Sequence, residues 1–239
     1  MGRAHRRLAG HVRAVACAFP ILQKAPPRVA QNAVVVGNPV RPEIADLFDK
    51  PYLPPEPDGT PRLLITGGSQ GARIMADIVP GAIERLEPSL WSRLILTQQV
   101  REEDMERVRA VYDRLKIKAE LAPFFADLPA KLASHHLVVS RSGAGTVAEL
   151  GAIGRPSILV PLPGSIDQDQ FANAGVLAQV GGALRIPQAE FTSDRLAAEI
   201  SALAAAPAKL TAMAAAARTV GRLDAAQRLA DLVMKVARI

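Results

Sequence analysis

Short apolar runs recur along this chain at 34–36, 62–66, 93–97, 118–122, 137–140, 157–160 and 183–186, and longer amphipathic stretches separate most of them. The intervening patterns carry the 3.6-residue period of helices at 71–87, 101–115, 127–134, 144–153 and 169–180. Three more follow near 193–205, 207–218 and 223–237. A chain that alternates in this way buries its strands on both sides. The expected class is therefore α/β, a doubly wound parallel sheet with C-terminal helices, its ligand-binding loops gathered at the carboxyl ends of the strands.

At 239 residues and 49% hydrophobic, the chain has enough apolar mass for one large domain. The single cysteine, Cys17, excludes an internal disulfide and any Cys-rich metal cluster, and it fits a reducing compartment. The net charge of +6 is concentrated at the start, where Arg3, His5, Arg6, Arg7, His11 and Arg13 crowd together. Such a cluster suits an anionic membrane surface or nucleic acid, and equally a solvated helix face. No stretch approaches the ~20 uninterrupted apolar residues of a membrane span. The N-terminus lacks a secretory signal's apolar core, so a cytoplasmic location is expected.

Seven prolines between residues 37 and 61 oppose regular structure. That segment reads as a linker. The Arg-rich helix and single strand expected before it are too little for a domain, so residues 1–36 read as the remnant of something larger, with 62–239 as the main domain.

Three polar loops follow strands and therefore share one edge. The first, Thr66-Gly67-Gly68-Ser69-Gln70-Gly71-Ala72-Arg73, opens a helix, whose free N–H groups and positive end suit a phosphate. It is not a Walker A loop, and it lacks the Gly-x-Gly-x-x-Gly spacing of dinucleotide binders. The second, Ser140 to Leu150, joins an apolar strand to a helix through Gly143, Ala144 and Gly145, with Glu149 one turn inside and within reach of a ribose. The third runs from Val160 to Ala174. Its Asp167, Gln168, Asp169 and Gln170 can bond sugar hydroxyls, or can simply cap and solvate a helix start.

Gly37-Asn38-Pro39-Val40-Arg41, Gly67-Gly68-Ser69-Gln70-Gly71-Ala72, Arg141-Ser142-Gly143-Ala144 through Glu149, and Asp167 to Asn173 occur in that order over nearly the whole chain. Together they closely resemble the MurG family of bacterial UDP-N-acetylglucosamine:N-acetylmuramyl-(pentapeptide) pyrophosphoryl-undecaprenol N-acetylglucosamine transferases. The resemblance implies the GT-B architecture, two Rossmann-like domains around a cleft. This chain corresponds to the C-terminal, UDP-GlcNAc-binding half, with 1–36 left from the acceptor domain and 37–61 as the interdomain linker. It also implies roles for individual residues. Arg41 and Ser69 would contact the donor diphosphate region, and the backbone of Phe125 would read the uracil. Ala144, Gly145 and Thr146, with Val147 and Ala148 behind them, would meet the phosphates at the helix start. Glu149 would hold the ribose and Gln170 the GlcNAc hydroxyls. The family's position before that glutamine is usually an amide or histidine and is Asp169 here.

The implied reaction moves GlcNAc from UDP-GlcNAc to lipid I, giving lipid II with inversion, at the cytoplasmic face of the bacterial inner membrane. The chain would be a peripheral protein there. No cofactor or metal is called for. The family's Gly-Gly-Thr-Gly-Gly-His loop, which carries the proposed base, is absent, so no catalytic residue is assigned and the chain is expected to be inactive alone. His135 and His136 precede a buried strand, at the edge away from the loops. A different reading is a noncatalytic nucleotide-sugar-binding module that works with a partner chain. Nucleic acid is not an expected partner, because only 4% of residues are aromatic.

Overall fold

A computed structural model describes residues 7–20, 25–56, 58–68, 71–164 and 169–237 of the protein. Ser69, Asp167, Gln168 and the basic residues Arg3, His5 and Arg6 lie outside the described residues.

Two three-residue strands, β1 (Val15–Cys17) and β2 (Ala33–Val35), pair in parallel on either side of helix α1 (Pro27–Gln31). The short helix α2 (Pro42–Ala45) follows. From residue 62 the chain alternates β3 (Arg62–Thr66), α3 (Arg73–Glu84), α4 (Pro88–Trp91), β4 (Ile95–Gln99), α5 (Glu102–Arg114), β5 (Lys118–Ala122), α6 (Leu128–Ser134), β6 (Leu137–Ser140), α7 (Ala144–Ile153), β7 (Ser157–Leu159), α8 (Asp169–Gln179) and β8 (Ala183–Arg185). Helices α9 (Ser193–Ala204), α10 (Pro207–Arg218) and α11 (Ala225–Ala237) come last.

The six main strands run parallel in the order β5-β4-β3-β6-β7-β8. This is the doubly wound sheet that the alternation requires. The period of two sorts its side chains onto two faces. Leu63 and Ile65 of β3 join Met75, Val79, Ile83 and Leu96 in one core. Leu64 between them joins Val138, Val147, Leu150, Ile153 and Leu177 in the other. Truncating a side chain such as Leu64, which is fully buried, would cost about 2–5 kcal/mol.

The helix boundaries have local causes. Helix α7 stops at Gly154, whose φ of +60° is left-handed and whose N–H bonds Gly151 O. Thr192 begins α9 by accepting a hydrogen bond from the Arg195 backbone N–H at 3.2 Å.

Three details differ from the sequence reading. Strand β4 lies two residues later than 93–97 and ends in Thr97, Gln98 and Gln99, all buried. Ahead of residue 37 the described residues hold two strands, with helix α1 between them, where an Arg-rich helix and one strand were expected. Across 37–61, Pro42 begins a helix instead of opposing one, because a proline lacks only a hydrogen bond that the first turn does not make. That helix buries Ile44 completely in the second core, with Val40, Leu47 and Phe48 packed around it. In α11 only Ala225 is buried, while Leu229, Val233 and Met234 lie exposed.

Candidate nucleotide site

The chain lays down β3, then β4 and β5 to one side of it, and places β6 on the other side. The connections after β3 and β6 therefore diverge, which leaves a crevice at their carboxyl ends. Gly67 and Gly68 leave β3 there, and Gly143 to Thr146 leave β6. A Cβ at Gly67 would stand 2.1 Å from the Ala72 backbone N, so only glycine fits this close turn. Gly68 and Gly71 adopt φ of +84° and +67°, and the Gly71 N–H bonds Gly68 O at 3.0 Å. Neither α3 nor α7 has a side-chain cap. Their first-turn N–H groups, at the positive ends of both helices, are left for an anion.

Two cavities meet at this crevice. The larger, of 680 Å³, is lined by Gly67, Gly68, Gly71, Arg101, Arg141, Thr146, Gln170 and Gln188 among others. The smaller, of 250 Å³, is lined by Arg41, Gln99, Phe124, Phe125, Leu128 and Glu149. Gly68, Gly145 and Thr146 form the wall common to both. Of the residues singled out in the sequence, Gly145, Thr146 and Gln170 thus line the larger chamber, and Arg41, Phe125 and Glu149 the smaller. Ala144 is half-buried at the first position of α7. Val147 is buried in the second core, and Ala148 lines a separate 310 Å³ cavity with Phe19, Gly37 and Arg222.

The polar groups are held by definite partners. Arg41 Nε and Nη2 donate to the two Glu149 carboxylate oxygens at 2.7 and 2.8 Å, and this bond raises the Arg41 pKa. Gln99 Oε1 accepts from the Thr66 hydroxyl at 2.9 Å and the Gly67 N–H at 3.0 Å, while its Nε2 donates to Pro123 O at 3.1 Å. Gln99 thereby ties the glycine turn to the segment that carries Phe124 and Phe125. Gln170 Oε1 accepts from the Leu162 N–H, and Gln170 O accepts from the Ser142 hydroxyl. Asp169 Oδ1 is occupied as well, accepting from the Gln170 N–H at 2.9 Å.

Arg141 donates to Val160 O, Pro161 O and Gln188 Oε1, with no carboxylate among these partners. Burial lowers its pKa. Asp77, the acid on the cavity wall, is paired with Arg73 at 3.7 Å and Arg107 at 2.8 Å. Arg101 and Arg141 therefore leave the larger chamber electropositive. An anion with hydroxyls attached is the ligand such walls complement.

His135 and His136 sit at the other edge. His135 is buried against Lys131 O and Thr97 Oγ1, and His136 Nδ1 accepts from the Arg62 N–H at 3.0 Å. Gln99, Arg101, Phe124 and Gln188 were not singled out as ligand residues in the sequence, and Arg141 stood there only as part of a motif. Their common signal is position: Gln99 and Arg101 end or follow β4, Phe124 follows β5, and Arg141 follows β6.

A doubly wound parallel sheet with glycine turns and uncapped helix starts at its switch point defines a Rossmann-like domain of the GT-B kind. The chain belongs to the glycosyltransferase family 28 C-terminal domain family, whose profile matches residues 62–229. It is 73% identical over 237 residues to the UDP-N-acetylglucosamine--N-acetylmuramyl-(pentapeptide) pyrophosphoryl-undecaprenol N-acetylglucosamine transferase of Bradyrhizobium diazoefficiens, covering 99% of this chain and 65% of that protein. To the protein of the same name from Nitrobacter hamburgensis it is 69% identical, over 100% of this chain and 65% of the relative. The crystal structure of Acinetobacter baumannii MurG superposes with a TM-score of 0.78 at 29% identity, over 98% of this chain and 64% of that one. The chain thus spans about 65% of the length of the curated relatives it matches.

Proposed function

We propose that this chain is the donor-binding half of a UDP-GlcNAc-dependent, inverting hexosyltransferase that converts lipid I to lipid II in peptidoglycan synthesis. The observation that carries the reading is the pair of chambers meeting at Gly68, Gly145 and Thr146. In this reading the smaller chamber takes uridine, with Phe125 beside the base and Glu149 at the ribose. The diphosphate crosses the shared wall, where helix N–H groups and arginine meet its charge. The sugar enters the larger chamber beside Gln170. Stabilising the leaving UDP in this way lowers the barrier to transfer, because charge grows on the diphosphate as the glycosidic bond breaks.

Lipid I would be held by an acceptor domain, and with it the group that deprotonates the acceptor hydroxyl. The basic N-terminal segment favours an anionic membrane surface, which supports a peripheral position on the cytoplasmic face. Among the described residues no single helix is long and apolar enough to cross a membrane.

Calorimetric titration with UDP-GlcNAc and UDP-glucose, with UDP for comparison, tests the reading. The 239-residue chain should bind UDP-GlcNAc weakly and make no measurable lipid II. Glu149→Ala should weaken both ligands, and Gln170→Ala should weaken the sugar nucleotides more than UDP. Identical heats for the unmodified chain and both variants overturn the assignment.

A further inference from the structure

Arg101 is a cation of the larger chamber held by weak partners, and unlike Arg73, whose side chain is 74% exposed, it is packed into the wall. It stands two residues beyond the end of β4 and caps α5 from the backbone only, its side chain turned across the glycine turn after β3. The fit is close, since a Cβ at Gly71 would come within 3.1 Å of Arg101 Cγ. Its contacts among the described residues are weak. Nη2 donates to Gly71 O at a long 3.3 Å, and Nη1 lies 3.6 Å from a largely exposed Glu103 carboxylate. Its Nε is buried with no hydrogen-bond partner. A charged group so weakly paired is costly to hold, and the part of the side chain that stays exposed, 37% of it, can meet an anionic acceptor at the cavity wall. Asp77, the nearby acid on the wall, is engaged by Arg73 and Arg107.

Position decides which part of an anion Arg101 meets. It lines the larger chamber but not the smaller, and the chambers join at Gly68, Gly145 and Thr146. A nucleoside diphosphate with its nucleoside in the smaller chamber crosses that wall with its first phosphate and presents the second on Arg101's side. We propose that Arg101 is a diphosphate-binding residue that contacts the distal, sugar-bearing phosphate. It thereby links Gly71, to whose carbonyl it donates, with the ligand and discriminates diphosphate from monophosphate. The inference rests on the nucleotide reading above and adds a residue and a selectivity to it.

UDP and UMP are titrated into the 239-residue chain and into Arg101→Gln and Arg101→Lys, with melting temperatures measured for each. Arg101→Gln should weaken UDP about tenfold and UMP less than twofold, as expected for one charge-assisted bond at a partly open site. Arg101→Lys should weaken UDP about four- to sixfold relative to UMP, keeping the charge but losing the planar fork. The salt dependence of UDP binding should also become shallower in Arg101→Gln. Unchanged UDP affinity in Arg101→Gln, or an equal loss for UDP and UMP, overturns the proposal and leaves the nucleotide site standing. Should Arg101→Gln melt markedly lower, Arg101→Lys decides: a loss for UDP under threefold relative to UMP overturns the assignment. Failure of the unmodified chain to bind UDP overturns the nucleotide reading itself.

Discussion

Arg41 and Glu149, 108 residues apart, close a two-pronged ion pair at 2.7 and 2.8 Å that fastens the proline-rich segment to α7. The sequence assigned them to different parts of a ligand, and the structure joins them. Glu149 is the less accessible partner, its side chain 11% exposed against 43% for Arg41. Removing Arg41 therefore strands a nearly buried carboxylate, whereas neutralising Glu149 leaves a guanidinium that water can reach. Arg41→Ala should cost about 1–3 kcal/mol, and Glu149→Gln less. Thermal denaturation in the presence and absence of UDP separates stability from binding: Glu149→Gln should lose most of the UDP-induced rise while changing the baseline little. An equal UDP-induced rise in Glu149→Gln and the unmodified chain would refute the ribose role.

Gln99 joins two walls of the smaller chamber through three hydrogen bonds, and it is buried. Gln99→Ala leaves the Thr66 hydroxyl, the Gly67 N–H and Pro123 O without this partner, which should cost about 2–3 kcal/mol. Gln99→Glu keeps both acceptor bonds but sets a carboxylate against Pro123 O. It should retain the glycine turn and lose the positioning of Phe124 and Phe125. Fluorine NMR of a 5-fluorouridine diphosphate would then report a changed base environment in Gln99→Glu, with the phosphorus shifts unmoved. Unaltered fluorine and phosphorus signals would mean that Gln99 is only a core residue.

Much of this architecture is written locally. The run Leu137-Val138-Val139-Ser140 and the helix Ala144–Ile153 fall where the sequence puts them, because an apolar strand, a small-residue turn and a glycine stop each act over a few residues. Strand β4 does not, and its displacement has a chemical cause. Thr97, Gln98 and Gln99 look like the end of a strand, yet tertiary partners satisfy each one inside: Thr97 with Glu120 and His135, Gln98 with Tyr112 and Met75 O, Gln99 with Thr66, Gly67 and Pro123. The site divides in the same way. Glycine turns and Glu149 announce themselves by spacing, whereas the convergence of Arg101, Arg141 and Gln188 follows from the sheet order, which no single segment encodes.

Gly145 offers a variant in which folding and binding should part. A Cβ there meets nothing within 4 Å, and the residue lies in the first turn of α7. Gly145→Ala should therefore stabilise the chain by a few tenths to about 1 kcal/mol, through the lower entropy of its unfolded state. The added methyl nevertheless enters the wall that both chambers share. UDP should bind at least fivefold more weakly to this more stable protein. Gains in both stability and affinity would place the diphosphate elsewhere.

The sheet edge opposite the candidate site should control the acid response. His136 has its pKa lowered to about 4, first by burial and then by the nearby charges of Arg62, His135 and Arg155. Its Nδ1 accepts from the Arg62 N–H, and its own carbonyl accepts from the Tyr52 hydroxyl, so the neutral ring is the form the fold uses. The unfolded chain takes up this proton near the ordinary value of 6.5, before the folded chain does. Stability is then fully present above about pH 6.5 and is lost progressively as pH falls towards 4. His135, also lowered by burial, acts in the same direction. The melting temperature should fall by several degrees between pH 7 and pH 5. His136→Asn keeps an acceptor for the Arg62 N–H without a titrating ring, and should flatten part of that fall while leaving UDP affinity at pH 7 unchanged. An identical pH profile in His136→Asn would show that the ring is not held neutral by the fold.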